Sequence, residues 1–177
     1  MRSAIFTVGL AAIALATAAQ AQQGMTDDQI VAKLASAAPP AIVKEATIAA
    51  MEPDGKMRTI RQGTNGFTCM ITPGAPMCGD NNAIEWAHAR SVKAAAPPDK
   101  TGFIYMLDGD NGASNTDPWA TGPKPDNHWV KTGSHVMVVG PAVKTMGGYS
   151  RTADADPTKA YVMWPGTPYE HVMIPAK

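Results

Sequence analysis

Apolar residues along the chain change their period several times, and those changes divide it. Residues 4–19 are almost wholly apolar after a basic start at Arg2. From Thr26 the pattern turns helical. Ile30, Val31 and Leu34 make one stripe, and Thr26 with Gln29 form a capping-box pair ahead of it. Pro39-Pro40 is read as the end of that helix, because proline does not fit a helix interior. Residues 46–51, 57–62 and 67–71 then read as short strands. Pro53-Asp54-Gly55 and Gly63-Thr64-Asn65-Gly66 separate them. Asp-Gly and Asn-Gly tolerate the positive φ that tight hairpins need, so the three strands are predicted to form an antiparallel meander.

Residues 79–96 carry the longest helical pattern. Asp80 is placed to cap it and Pro97-Pro98 to stop it. Ile84, Ala87, His88, Ser91, Val92 and Ala95 share one face. Trp86 lies across from them, which predicts cover on two sides. Further strands are predicted over residues 102–107, 134–139, 161–164 and 171–174. Between 108 and 131 runs a stretch of Gly, Asn, Asp and Pro with no period; loops of that length in compact domains are uncommon and often functional. Residues 141–158 are irregular as well. The helices do not alternate with the strands. The pattern therefore predicts an α+β domain, a mainly antiparallel sheet of about seven strands with two helices.

The apolar opening ends in Ala19-Gln20-Ala21. A basic start, a short apolar middle and a small-residue exit predict a secretory leader over 1–21, cleaved before Gln22. The segment is short for a membrane span, and no later segment is long and apolar enough to be one. No membrane insertion is expected after cleavage, and the expected location is the periplasm or the exterior. Removing 21 of the 177 residues leaves 156, the size of one domain with a proper core, expected over 22–177. That part carries 14 basic and 15 acidic residues, scattered along the chain, which gives no electrostatic reason to expect nucleic acid as a partner. Cys69 and Cys78 are the only cysteines. In an oxidising compartment, with Pro73, Gly74 and Pro76 between them, they are expected to form a disulfide that pinches a loop; a redox pair would favour the closer C-x-x-C spacing.

The run Gly63-Thr64-Asn65-Gly66-Phe67-Thr68-Cys69, with Asn115-Thr116-Asp117-Pro118 and Trp164-Pro165-Gly166-Thr167-Pro168-Tyr169-Glu170-His171, resembles a family of uncharacterised exported bacterial proteins. The likeness covers most of the mature chain. It implies a family and a compartment, and no activity or site.

Several residue patterns bear on chemistry. Asp108-Gly109-Asp110-Asn111-Gly112 invites a calcium reading, but Ala113 and Trp119 stand where an EF-hand loop needs Gly and Glu. Glu85 and His88 have the spacing used by di-iron bundles, in one copy only and without a bundle. Ser134 precedes His135, yet neighbours on a strand point to opposite faces, and no G-x-S-x-G elbow is present. His135-Val136-Met137 and His171-Val172-Met173 are both His-x-Met on predicted strands. If those strands are neighbours, His135, Met137, His171 and Met173 can converge, and imidazole with thioether suits Cu(I). Ten of the eleven methionines lie after the leader; methionine also fills core gaps without any metal.

Three functional readings result. Placed first is a non-enzymatic exported domain that binds a small ligand or a protein partner through the 108–131 loop. Its contact residues would be Asp108, Asp110, Asn115, Asp117, Trp119, His128 and Trp129. Second is a periplasmic copper-binding protein using the two His-x-Met strands. Third is an enzyme with acid–base residues drawn from Asp108, Asp110, Asp117 and His128.

Overall fold

The computed structural model describes residues 24–52 and 56–176. The leader over 1–21, the cleavage point at Gln22 and the Pro53-Asp54-Gly55 turn lie outside the described residues. Helix α1 (Asp27–Leu34) opens as read, with Thr26 Oγ1 accepting from the Gln29 amide and Gln29 Oε1 accepting from the Thr26 amide. Pro40 does not simply stop it. After a short turn Pro40 takes the first position of a second helix, α2 (Pro40–Glu45), where its missing N–H is no loss.

Next come β1 (Thr47–Met51), β2 (Met57–Arg61), β3 (Phe67–Ile71) and β4 (Pro76–Asp80), then helix α3 (Asn81–Ser91) and β5 (Gly102–Met106). The short β6 (Ala113–Ser114) and β7 (Trp129–Val130) pair with each other. The chain continues through β8 (His135–Val139), a 3-10 turn at Pro141–Thr145, β9 (Tyr161–Met163) and β10 (His171–Pro175). Eight strands form one mixed, mostly antiparallel sheet in the order β2-β1-β3-β4-β5-β8-β10-β9. The α+β class holds. The sheet is larger than the seven strands read from the sequence, and the described residues hold three α-helices where two were expected.

The meander is corrected. β1 and β2 pair antiparallel, but β3 lies beside β1, and parallel to it. After β2 the chain doubles back across the start of β1. It passes so close that a Cβ on Gly63 would sit 2.1 Å from the Thr47 amide nitrogen, so only glycine fits there. The eighth strand, β4, was hidden by its own composition. Pro76 and Gly79 are poor strand formers, and the structure confines the proline to the first strand residue.

Cys69 and Cys78 are joined, directly opposite one another in the β3–β4 register. The bridge therefore staples two paired strands, with the Thr72–Ala75 turn beyond it. Cys69→Ser is expected to lower stability by roughly 2–3 kcal/mol, the loop-closure value for a ring this short. Denaturant midpoints of the two proteins measure it, and equal midpoints would contradict it.

Each sheet face has its own cover. On the outer face, α1 and α2 pack Ile30, Leu34 and Val43 against Ile48, Cys69 and Cys78. Val143 of the 3-10 turn packs against Val138, Val162 and Val172 at the other end. The inner face carries Met70, Met77, Met106, Met137, Met163 and Met173, since registers set these residues opposite one another or opposite same-face partners. Helix α3 covers that face with Ala83 and Trp86. This corrects the helix reading. The inward stripe is Ala83, Trp86 and Ala89, while His88 and Val92 are exposed and the helix ends at Ser91. The large indole decides which face turns in, because burying it removes the most apolar area. Among the described residues no helix is long and apolar enough to cross a membrane.

Candidate functional site

The long loop is folded down onto the inner face of the sheet. Ser114 and Asn115 are fully buried. Asn115 Nδ2 donates to the carbonyls of Thr152 and Ala153, and the indole of Trp164 donates to the Ser114 carbonyl at 2.7 Å. Trp164 itself holds φ +55, a left-handed conformation unusual for so large a residue. These contacts stitch the loop to Trp164, just after β9, and to residues 152–153. They spend the Asn115 amide on the fold.

Asp108 turns the other way, accepting from Ser36 Oγ near the end of α1. Asp117 caps its own turn by accepting from the Trp119 amide. Trp119 is 42% exposed. Its indole donates to the Arg90 carbonyl, and Lys93 lies over its ring. Asp110 is nearly buried, with Oδ1 accepting from the amides of Gly112 and Thr132. So the expected contact residues are dispersed, and Asp108, Asp110, Asp117 and His128 do not gather at one point.

Two of them do share a site. His128 and Trp129 line an open groove of about 290 Å3 with Val130, Lys131, Asp154 and Pro157. β7 supplies one wall and the segment after Thr152 the other. His128 sits at φ +48, so its backbone is held in a region that non-glycine residues rarely occupy. Its Nδ1 donates to Asp154 Oδ1 at 2.7 Å across the groove. Trp129 rests on Gly112, where a Cβ would lie 2.1 Å from the indole nitrogen; Gly112 is at φ +100. The turn that carries the aspartates thus also seats the groove's tryptophan. The sequence offered no signal for Asp154 or Pro157, which come from a different irregular segment.

The His-x-Met strands β8 and β10 are neighbours, and all four residues lie on the inner face. Met137 and Met173 are directly opposite. The histidines are at opposite ends of the pairing: His135 faces Pro175 and His171 faces Val139. Four strand positions separate them, roughly 13 Å at about 3.4 Å per residue. Each ring also leans away from the methionine pair. His135 Nδ1 donates to the Gly133 carbonyl at 2.6 Å and His171 Nδ1 to the Tyr169 carbonyl at 3.0 Å, each two residues back. His171 is packed against Trp86 and Trp164. Burial pushes its pKa down to about 4, against the pull of the Tyr169 carbonyl and with help from the Arg90 and His135 charges.

His135 is fully buried and its Nε2 has no hydrogen-bond partner. Asp110 Oδ2 lies 4.0 Å away. Burial lowers the His135 pKa, while the Gly133 carbonyl and Asp110 oppose that shift. Beside them the Tyr161 hydroxyl and Thr132 Oγ1 are hydrogen-bonded at 2.8 Å, and burial raises the phenol to about 12. Among the described residues no three His, Cys, Asp or Glu side chains gather as a metal-holding group. No family model matches the chain, and no curated protein or solved structure matches it.

Proposed function

We propose that this protein is exported and works as a non-enzymatic binding domain whose ligand sits in the groove between His128–Lys131 and Asp154–Pro157. Export is supported by the leader pattern over 1–21 and by a disulfide of the kind that persists in oxidising compartments. The observation that carries the site is His128. A left-handed backbone holds it at the groove and its ring is hydrogen-bonded to the exposed Asp154, and backbone strain of this kind concentrates at ligand clamps.

The groove is lined by the cationic Lys131, the anionic Asp154 and the aromatic Trp129. That set complements a small zwitterion, with its carboxylate toward Lys131, its ammonium toward Asp154 and its apolar part against the ring. The far end of the loop contacts ligand, while its middle is structural.

Amide shifts recorded during titration with a panel of free amino acids and dipeptides test this. At least one member is expected to move His128, Trp129, Lys131 and Asp154 together, and Asp154→Asn is expected to weaken that member by ten-fold or more. Shifts confined to other parts of the surface, or none from the whole panel, would contradict the groove as the site.

A further inference from the structure

The buried pair His135 and Asp110 poses an electrostatic problem that the groove does not explain. A carbonyl can only accept, so the contact with Gly133 fixes the proton of neutral His135 on Nδ1 and leaves a lone pair on Nε2. That lone pair has no partner, and a carboxylate oxygen stands 4.0 Å away. Two electron-rich atoms facing each other at that distance leave room for a cation between them.

Both donors are held as metal ligands usually are. His135 is oriented through its other nitrogen, and Asp110 through two backbone amides on its other oxygen. First-row ions bind imidazole nitrogen and carboxylate oxygen at about 2.0–2.2 Å, so a 4.0 Å gap accepts an ion at a wide donor–metal–donor angle. A third donor is at hand. Met106 on β5 is the direct cross-strand neighbour of His135 on the same face, and it is buried.

We propose that His135 Nε2, Asp110 Oδ2 and the Met106 thioether bind one Cu(I) ion. The thioether favours it, because sulfur is soft and Zn(II) binds thioethers poorly, and imidazole binds copper; the carboxylate is a hard donor whose part is to supply charge. Charge selects it too. One carboxylate neutralises a single positive charge, whereas a divalent ion would leave net charge in a poorly solvated place. A wide angle with few ligands also suits Cu(I). The Asp110 side chain is 10% exposed, so the site lies just under the surface of the 108–112 turn. This site differs from a single centre built on both His-x-Met pairs, since it uses neither His171 nor Met173. It does not rest on the groove, whose variants leave it intact.

The test is a competition titration of the mature, disulfide-bonded protein with Cu(I) against a chromophoric chelator, with Zn(II) as a second arm. The wild-type protein is expected to bind one equivalent of Cu(I) in preference to Zn(II). Asp110→Asn and Met106→Leu are each expected to weaken binding at least ten-fold, and Met173→Leu to leave it unchanged. Near-UV circular dichroism checks that each variant is folded; if His135→Gln is not, the other two variants still decide. X-ray absorption of the loaded protein is expected to show both nitrogen/oxygen and sulfur neighbours. No Cu(I) bound, Zn(II) preferred, or equal weakening by Met173→Leu and Met106→Leu would each overturn the assignment.

Discussion

Trp86→Ala is expected to destabilise the protein by about 3–5 kcal/mol, the range for truncating a buried aromatic. Trp86 is 3% exposed and is the main side chain that α3 lays on the inner sheet face. Its indole stacks on Trp164 at 6.2 Å and 13°, and meets Tyr169 and His171 edge-on. Trp164 in turn carries the hydrogen bond that holds the long loop at Ser114. The cavity left by the substitution would therefore loosen the helix, the aromatic group and the loop together. Equilibrium unfolding in denaturant measures the loss. A change under about 1 kcal/mol would show that the cluster is not the keystone of the inner core.

Acid is expected to weaken the fold well before the carboxylates titrate. His171 has a pKa of about 4 when folded, against an ordinary 6.5, because burial disfavours its charged form. Between those values the unfolded chain binds a proton that the folded chain refuses, so stability is highest above pH 6.5 and falls as the pH drops toward 4. The gap corresponds to about 3 kcal/mol at about 1.4 kcal/mol for each pH unit. His135, also pushed down by burial, acts in the same direction. Unfolding free energies at pH 7, 5.5 and 4 test this, and His171→Gln is expected to flatten the slope. A stability that stays level or rises from pH 6.5 to 4 would contradict the buried neutral imidazole.

Both effects arise in parts of the molecule that were unevenly legible in the sequence. The capping box at Thr26 and Gln29 was readable because its partners are three residues apart. Strands β5, β8, β9 and β10 were readable from their apolar runs. The repeated His-x-Met motif pointed to two strands that do lie side by side. The ring directions were not legible, since they depend on carbonyls at Gly133 and Tyr169 that look like any others in a sequence. Strand β4 was missed because local propensity counted against Pro76 and Gly79, while pairing on both sides overrode it.

The loop is the most instructive case. Its polarity suggests a surface for ligands that includes Asp110 and Asn115. A wide sheet with one helix on its inner face needs more cover, and the loop provides it. Its buried amide then needs acceptors, which Asn115 finds at Thr152 and Ala153. Those partners lie 37 and 38 residues away, beyond any local pattern. The groove has the same origin. His128 and Trp129 were singled out by type, but Asp154 completes the site only because the fold brings residues 152–157 alongside β7.

Native mass spectrometry of the protein purified from its own exported fraction tests the central claim most directly. A chain beginning at Gln22 that carries one small molecule per protein is the expected result. That added mass is expected to disappear in His128→Ala with the fold intact. A wild-type chain without a small-molecule adduct, a chain retaining residues 1–21, or a small-molecule adduct that persists in His128→Ala would contradict it, whereas a bound copper ion, which does not depend on the groove, would not.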